Sequence, residues 1–199
     1  NIATDSPLSY SNLNTSGNYG VGGYGYQTLG RNLDVSASGP FSSYLSNGEI
    51  GQTGTTVWVS ALVRKDADTD QEASINLHNN SINWCTGCAS SDVAVGYFGS
   101  ASNSGGVRYW SLKIGTTVYQ TNVPVTVGQT ALLALRIDFG ATSTVALYVN
   151  PSSLGGTAPA SASVQQTTTT NIAFQSVAYY AGDTPGNSSL DEIRLGTSY

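Results

Sequence analysis

Apolar and polar residues alternate along short runs of this chain, and clusters of glycine, asparagine, serine and aspartate separate the runs. In the run TVWVSALVRK at 56–65, Trp58 and Arg64 fall on the opposite side of an extended strand from the valines. The run EASINLH puts Asn76 and His78 opposite its apolar positions. Such alternation indicates half-buried strands of antiparallel sheets. It predicts further strands at 92–98, 107–114, 131–139, 144–150, 172–181 and 189–195. Without interleaved helices, these strands predict an all-β sandwich of two antiparallel sheets.

Two segments interrupt the alternation without dividing the chain. Residues 18–26 are rich in glycine and tyrosine, which indicates a long ordered loop or an irregular sheet edge. Residues 150–170 begin with loop composition and end in a threonine run that is typical of an edge strand. Because apolar alternation resumes at Ile172 and Phe174, we predict a single β-sandwich domain over residues 1–199.

The composition is that of a secreted β protein. Charged residues make up 10% of the chain, against about 25% in an average globular domain. A net charge of −5 argues against nucleic acid as a partner, because phosphates require a basic surface. No apolar run is long enough to span a membrane, and no signal-peptide pattern follows Asn1. We expect an extracellular, monomeric module that belongs to a larger multimodular protein.

The two cysteines, Cys85 and Cys88, lie in the stretch INWCTGC directly after Trp84. A redox motif of this spacing would need a helix N-terminus behind a strand, and no helical segment follows here. A zinc site would need further ligands, and His78 is the single histidine. We predict a disulfide between Cys85 and Cys88 that clamps the loop carrying Trp84.

Several strand sequences occur in a characteristic order. The runs LLALRIDF at 132–139, VALYVNP at 145–151 and LDEIRLG at 190–196 resemble strands of the concanavalin A-like, laminin-G-like jelly-roll modules of secreted bacterial proteins. The runs GRNLD and TTVWVS resemble the start of such modules. The resemblance implies a jelly-roll sandwich that many relatives use to bind glycans, often with a structural calcium ion. It also covers polysaccharide lyases and glycoside hydrolases, so it supports a fold better than an activity.

A catalytic role would fall to Glu72 or His78. A glycosidase needs two facing carboxylates, and the three glutamates are Glu49, Glu72 and Glu192. We interpret Glu192 and the arginine two residues after it as a solvated ion pair. For a lyase, His78 is the candidate base, beside Glu72 and Asn76 and together with a tyrosine. The Gln-x-His signature of alginate lyases is absent, because Asn76 stands two residues before His78.

Aspartates provide two candidate calcium sites. The loop DADTDQE places Asp66, Asp68 and Asp70 at alternate positions, as in the first half of an EF-hand loop, but it lacks that loop's glycine and closing glutamate. The alternative is a solvated acidic hairpin tip. Asp191 alternates in phase with the apolar residues of its strand, which predicts a carboxylate on the apolar face. The resemblance implies a calcium-ligand role for Asp191, and the alternative is a carboxylate satisfied by backbone amides or an arginine.

Sugar binding needs an aromatic surface for stacking and planar polar groups beside it. The chain has 12 Tyr and 3 Trp against 4 Phe, a bias towards aromatic residues with a polar edge. Our candidates for binding are Trp58, Arg64, Asn76, His78, Trp84, Arg108 and Trp110. For any one tryptophan, the alternative is a place in the core.

These observations favour a non-catalytic carbohydrate-binding module. It would bind a polysaccharide by aromatic stacking and hydrogen bonds on the concave face or the loop rim of the sandwich. The first alternative is a polysaccharide lyase or glycoside hydrolase of jelly-roll fold that uses His78 or Glu72. The second is a structural or adhesive spacer module.

Overall fold

The regular secondary structure of the described residues is almost entirely β-strand. The computed structural model describes residues 7–11, 13, 15–21, 27–79, 91–153, 155–182 and 186–199. Its strands are β1 (Gly20–Val21), β2 (Gln27–Asn32), β3 (Leu45–Ser46), β4 (Glu49–Ile50), β5 (Thr56–Lys65), β6 (Ala73–His78), β7 (Ser91–Tyr97), β8 (Asn103–Ser104), β9 (Val107–Ile114), β10 (Thr117–Pro124), β11 (Thr130–Asp138), β12 (Ser143–Val149), β13 (Val164–Thr168), β14 (Ser176–Ala181) and β15 (Ser188–Gly196). Two short 3-10 helices span Ser42–Tyr44 and Gly99–Ser102. In the described part of the chain, no helix has the length and apolarity needed to cross a bilayer.

The strands assemble into two large antiparallel sheets. The six-stranded sheet has the order β1-β15-β5-β11-β12-β13, and the seven-stranded sheet has the order β10-β9-β7-β6-β14-β2. Strand β8 pairs with β9, while β3 and β4 form a small separate hairpin. The predicted fold class, a two-sheet antiparallel jelly-roll sandwich, is confirmed.

The inner faces of the two sheets share one core. The alternation read from the sequence holds for β5 and β6, whose valines, Ala61, Ile75 and Leu77 point inward. Val59 of the six-stranded sheet is 2% exposed and Ile75 of the seven-stranded sheet is 1% exposed. Burial of this apolar surface, at about 25 cal/mol per Å², is what holds the sheets together.

The strands that the alternation did not reveal lie at the edges of the sheets. Strands β2 and β10 are edge strands that had not been predicted, whereas β13 lies at the end of the segment 150–170, where the sequence indicated an edge strand. Edge strands are commonly polar on both faces, which protects their unpaired backbone groups. The sequence VQQTT of β13 has a single apolar residue, so it shows no apolar alternation.

The closing strand β15 contains a β-bulge that changes the phase of its side chains. Its register against β5 shifts between Asp191 and Arg194. Asp191 pairs with Leu62 on the outer face of the sheet, whereas Leu195 pairs with Val59 on the core side. The predicted placement of Asp191 on the same face as Leu195 is therefore wrong, because the bulge inserts one extra residue between them.

A segment near the start of the chain covers part of the six-stranded sheet. We call its described residues, 7–11, 13 and 15–19, the N-terminal strap. Leu8 is buried against Leu62 and Leu132 on the outer face of this sheet, and Tyr10 and Leu13 pack beside them. The strap leaves a neighbouring part of the same face open to form a cavity, described below.

Candidate functional site

The predicted sugar-binding residues divide between opposite faces of the sandwich. Trp58 and Arg64 lie on the outer face of the six-stranded sheet, because they alternate with the core residues of β5. Asn76 and His78 lie on the outer face of the seven-stranded sheet, opposite the core residues of β6. The core separates these two pairs, so they cannot contact the same sugar. Outside the described residues lie Trp84, Cys85 and Cys88.

Trp110 belongs to the core. Its side chain is 1% exposed and packs among the apolar residues between the sheets. A sugar cannot stack on a ring without an accessible face, so we remove Trp110 from the candidate site. Trp110 and Leu112 lie on the same face of β9, and that face is the inner one.

Arg108 is engaged with the acidic loop between β5 and β6. Its guanidinium forms ion pairs with Asp68 and with Asp70, the latter at 3.2 Å. The Tyr97 hydroxyl donates a hydrogen bond of 2.8 Å to Asp70, and Asn103 donates a second one of 3.1 Å. These two hydrogen bonds, with a further one from Arg108, lower the pKa of Asp70. Arg108 therefore serves to neutralise the loop.

Two further cations, Arg64 and Lys65, contact the same loop. Arg64 forms an ion pair with Asp66. The ammonium of Lys65 is fully buried and donates hydrogen bonds of 2.8 Å to Asn187 Oδ1 and 2.8 Å to the Gln71 carbonyl. Burial, reinforced by the charge of a nearby arginine, lowers the pKa of Lys65 to about 8. The buried cation thus connects the acidic loop to Asn187, the residue directly before β15.

Calcium binding stays a prediction for Asp66, Asp68, Asp70 and Asp191. In the structure, the charges of the three loop aspartates are balanced by side-chain cations. Across the ranges that the structure describes, no group of three or more His, Cys, Asp or Glu side chains is arranged to hold a metal ion.

The outer face of the seven-stranded sheet carries a row of polar side chains. The Ser74 hydroxyl donates to Glu72, and the Asn76 amide donates a hydrogen bond of 2.7 Å to Ser74. The ring of His78 lies 5.9 Å from the ring of Tyr180 on the neighbouring strand β14. This face therefore brings together a histidine and a tyrosine, as the lyase alternative requires. His78 itself is buried, with 3% of its surface exposed.

An open cavity of about 250 Å³ lies on the outer face of the six-stranded sheet. Its floor is formed by residues of the adjacent strands β5 and β11, and its walls come from the N-terminal strap, the loop after β12, β15 and the segment after β15. The lining residues are Leu13, Trp58, Ser60, Leu132, Ala134, Gly155, Glu192, Arg194, Leu195, Gly196, Ser198 and Tyr199. Among the predicted binding residues that the structure describes, only Trp58 lines this cavity.

Aromatic rings form one side of the cavity. The Trp58 ring lies 4.9 Å from that of Tyr199 and 5.5 Å from that of Tyr148. The guanidinium of Arg136 lies 5.8 Å from the centre of the Trp58 ring, within the range of a cation–π contact. The Tyr199 hydroxyl donates to the carbonyl of Ser153, which fixes the tyrosine ring beside the tryptophan. Trp58 is 9% exposed, so only an edge of its ring is open to a ligand.

A carboxylate in an unusual backbone conformation forms another part of the wall. Glu192 lies at the bulge of β15 with φ of 52°, a value that is uncommon for residues other than glycine. Its carboxylate accepts hydrogen bonds from the backbone N–H of Ser16 at 3.0 Å and from Arg194 at 2.8 Å. Burial alone would raise the pKa of Glu192, but the hydrogen bonds from Arg194 and Ser16 outweigh it and lower the pKa. The carboxylate is thus charged and fixed in direction.

Asp191 holds this bulge and the strap together. One of its carboxylate oxygens accepts a hydrogen bond of 2.8 Å from the Glu192 N–H, and the other accepts one of 3.0 Å from the Leu8 N–H. Burial is the largest influence and raises the pKa of Asp191, while the two backbone hydrogen bonds partly offset it. In the structure the carboxylate is therefore satisfied by backbone amides, the alternative that the sequence left open.

Sequence reasoning missed most of this cavity. Alternation correctly placed Trp58 and Ser60 on one face of β5, but it did not reveal that β15 lies next to that strand. The predicted ion pair of Glu192 with Arg194 is present, but the β-bulge that orients Glu192 leaves no mark in the hydrophobic pattern. The positive φ of Glu192, a residue other than glycine, is the structural signal that draws attention to the site, since such conformations cluster at functional sites.

Several solved structures are similar to this chain at low sequence identity. No protein-family model matches the chain, and no curated protein matches it. The chain is similar to an alginate lyase from Pseudomonas aeruginosa, with 14% identity over 73% of this chain and 66% of that chain, at a TM-score of 0.44. It is also similar to an endo-β-1,4-glucuronan lyase from the fungus Trichoderma reesei, with 11% identity over 100% of this chain and 90% of that chain, at a TM-score of 0.44. A homodimeric agglutinin from chicken liver has 14% identity over 85% of this chain and 100% of that chain, at a TM-score of 0.42. Similarity of this degree carries no argument about the site.

Proposed function

We propose that this chain is a carbohydrate-binding module that holds a neutral sugar in the cavity beside Trp58 and Tyr199. We further propose that the module is secreted, monomeric and part of a larger multimodular protein, in keeping with its composition. The observation that carries the proposal is the presence, in one open cavity, of aromatic rings and a fixed carboxylate–guanidinium pair formed by Glu192 and Arg194.

The aromatic side of the cavity suits the apolar face of a sugar ring. A pyranose presents a face of C–H groups that packs on aromatic surface, and tryptophan and tyrosine add a polar edge that remains hydrated. The partly exposed ring of Tyr199 provides such a surface, the open edge of Trp58 adds to it, and Leu132 and Ala134 continue it along the floor. A purely apolar ligand would leave the charged wall opposite these residues without hydrogen bonds, at a cost in affinity.

The polar side of the cavity suits neighbouring hydroxyl groups. A carboxylate only accepts hydrogen bonds and a guanidinium only donates them, so Glu192 and Arg194 together offer both partners to adjacent hydroxyls. Hydrogen bonds to charged groups contribute about 1.5–3 kcal/mol each. Because the two charges cancel within the pair, the cavity favours neutral sugars over uronate or sulfate polymers.

Isothermal titration calorimetry on the isolated chain tests the proposal. The ligands are soluble neutral polysaccharides and their oligosaccharides, with alginate as the acidic comparison. We expect Arg194→Ala to weaken the binding of a neutral ligand at least tenfold. Arg31→Ala is the matched control, because Arg31 is exposed on β2 of the other sheet and lies outside the cavity lining. Absence of binding across a broad neutral and acidic panel would favour the spacer module instead.

The pairing of His78 with Tyr180 supports a second candidate, a polysaccharide lyase. A histidine and a tyrosine on one sheet face can act as the base and acid that move protons in an elimination. The burial of His78 argues against this candidate, because a substrate must reach its base. The test is an assay for unsaturated products on alginate and other uronate polymers. We expect no turnover; turnover that His78→Ala abolishes in a folded protein would replace the first candidate with the second.

A further inference from the structure

We infer that the cavity binds the end of a glycan, one or two sugar rings, and not an internal stretch of a polysaccharide chain. This inference rests on the proposed function and concerns the same cavity. A site for internal stretches is a groove open at both ends, so the decisive feature is whether the walls leave two exits.

The walls come from four separate segments of the chain. Leu13 belongs to the N-terminal strap, and Gly155 belongs to the loop that follows β12. Glu192 and Arg194 come from the bulge of β15. Tyr199 comes from the segment after β15. The floor lies between them on β5 and β11, so lining residues meet the cavity from several directions.

Hydrogen bonds join these four segments into a closed collar. The bulge is bonded to the strap, because Glu192 accepts from the Ser16 N–H at 3.0 Å. The strap is bonded to the loop after β12, because the Tyr10 hydroxyl donates to the Pro151 carbonyl at 3.2 Å. That loop is bonded to the segment after β15 through Tyr199 and the carbonyl of Ser153. The last segment continues covalently from β15, and the ring of connections is complete.

The size of the cavity agrees with a short ligand. Its volume of about 250 Å³ lies below the roughly 300–1,000 Å³ of pockets that enclose drug-sized ligands. One sugar ring fits such a space with its hydroxyls at the Glu192–Arg194 pair, and a second ring reaches the mouth. A longer chain extends into solvent without further contacts.

A chain-length series tests the inference. Calorimetry is run with glucose, mannose and galactose and with the di- to hexasaccharides of their neutral β-linked polymers. We expect affinity to reach its plateau at one or two units and to change less than about twofold beyond that. We also expect one protein to bind per oligosaccharide chain at every length. Affinity that rises with each added unit, or several proteins bound along one chain, would overturn the chain-end inference while leaving the proposed function intact. Absence of binding at every length would overturn both.

Conservative variants test the collar itself. Tyr10→Phe and Tyr199→Phe keep the aromatic rings but remove the hydroxyls that join the strap and the final segment to the loop. We expect the double variant to remain folded and to bind the preferred mono- or disaccharide roughly three- to tenfold more weakly, the effect of losing one or two hydrogen bonds that position the walls. Tyr109→Phe, on β9 of the other sheet, is the control and should bind like the parent protein. Unchanged affinity in the double variant would show that the collar does not shape the site.

Discussion

Replacing Glu192 with glycine separates the strain of the β-bulge from the role of its carboxylate. At φ of 52°, an L-residue is disfavoured by roughly 1–2 kcal/mol, and glycine adopts this conformation readily. Against this gain, the variant loses the solvent-exposed hydrogen bond from Ser16 to the carboxylate, which contributes only about 0.5–1.5 kcal/mol because water competes for both groups, and a partly exposed ion pair with Arg194, about 0–1 kcal/mol. The opposing effects nearly cancel. We therefore expect the free energy of unfolding to change by less than about 1 kcal/mol.

Ligand binding should respond very differently to the same change. The variant cannot accept a hydrogen bond from the sugar, and the loss of a charged partner weakens binding roughly ten- to a hundredfold. Urea unfolding followed by tryptophan fluorescence gives the stability, and calorimetry gives the affinity. Asn47→Gly is the matched control, because Asn47 also has positive φ, 54°, in the turn between β3 and β4. The control should keep full affinity.

Two results would refute this reasoning about Glu192. A fall of more than about 2 kcal/mol in the free energy of unfolding would show that the carboxylate acts mainly as a structural anchor for the strap. Unchanged affinity in Glu192→Gly, with the variant folded, would remove the residue from the binding site.

The remaining predictions concern the acidic loop and the cysteines. The pKa of Lys65 is 10.5 in a free chain and about 8 in the folded protein. Between these two pH values the unfolded state binds more protons than the folded state, so the contribution of Lys65 to the free energy of unfolding rises with pH. Urea unfolding of the parent protein and of Lys65→Met tests this. From pH 7 to pH 10 we expect the free energy of unfolding of the parent to rise by about 2–3 kcal/mol relative to that of the variant. A difference between the two that does not change with pH would contradict the low pKa of Lys65. EDTA tests the calcium site predicted from the sequence: because Arg64, Lys65 and Arg108 already balance the loop carboxylates, we expect the Tm to stay unchanged, which would count against that site, and a fall of several degrees would support it. Thiol titration of the denatured, unreduced protein should detect no free thiol if Cys85 and Cys88 form the predicted disulfide, and two reactive thiols would disprove it.

The inner strands were predictable because one face of each is buried. In β5, β6, β11 and β12, every second side chain enters the common core, and burial leaves the alternating pattern from which the sheets were predicted. The edge strands β2, β10 and β13 have a neighbouring strand along one edge only, so burial constrains their side chains less. Their sequences therefore carry a weaker signal.

The candidate site was less predictable, because it depends on contacts between distant segments. The strap contacts β15 across more than 170 positions, as in the bond from Ser16 to Glu192, and no periodic pattern encodes that pairing. Trp58 was found because alternation alone placed it on an outer face. Trp110 was misassigned because alternation groups residues by face without telling which face is the inner one.

An NMR titration of the ¹⁵N-labelled chain with the neutral sugar that binds best tests the central claim most directly. The account predicts shifts of the Trp58 indole N–H and of the backbone amides from Glu192 to Gly196, with the buried Trp110 indole unmoved. Shifts confined to the face that carries Asn76, His78 and Tyr180, with the Trp58 indole and β15 unchanged, would contradict it.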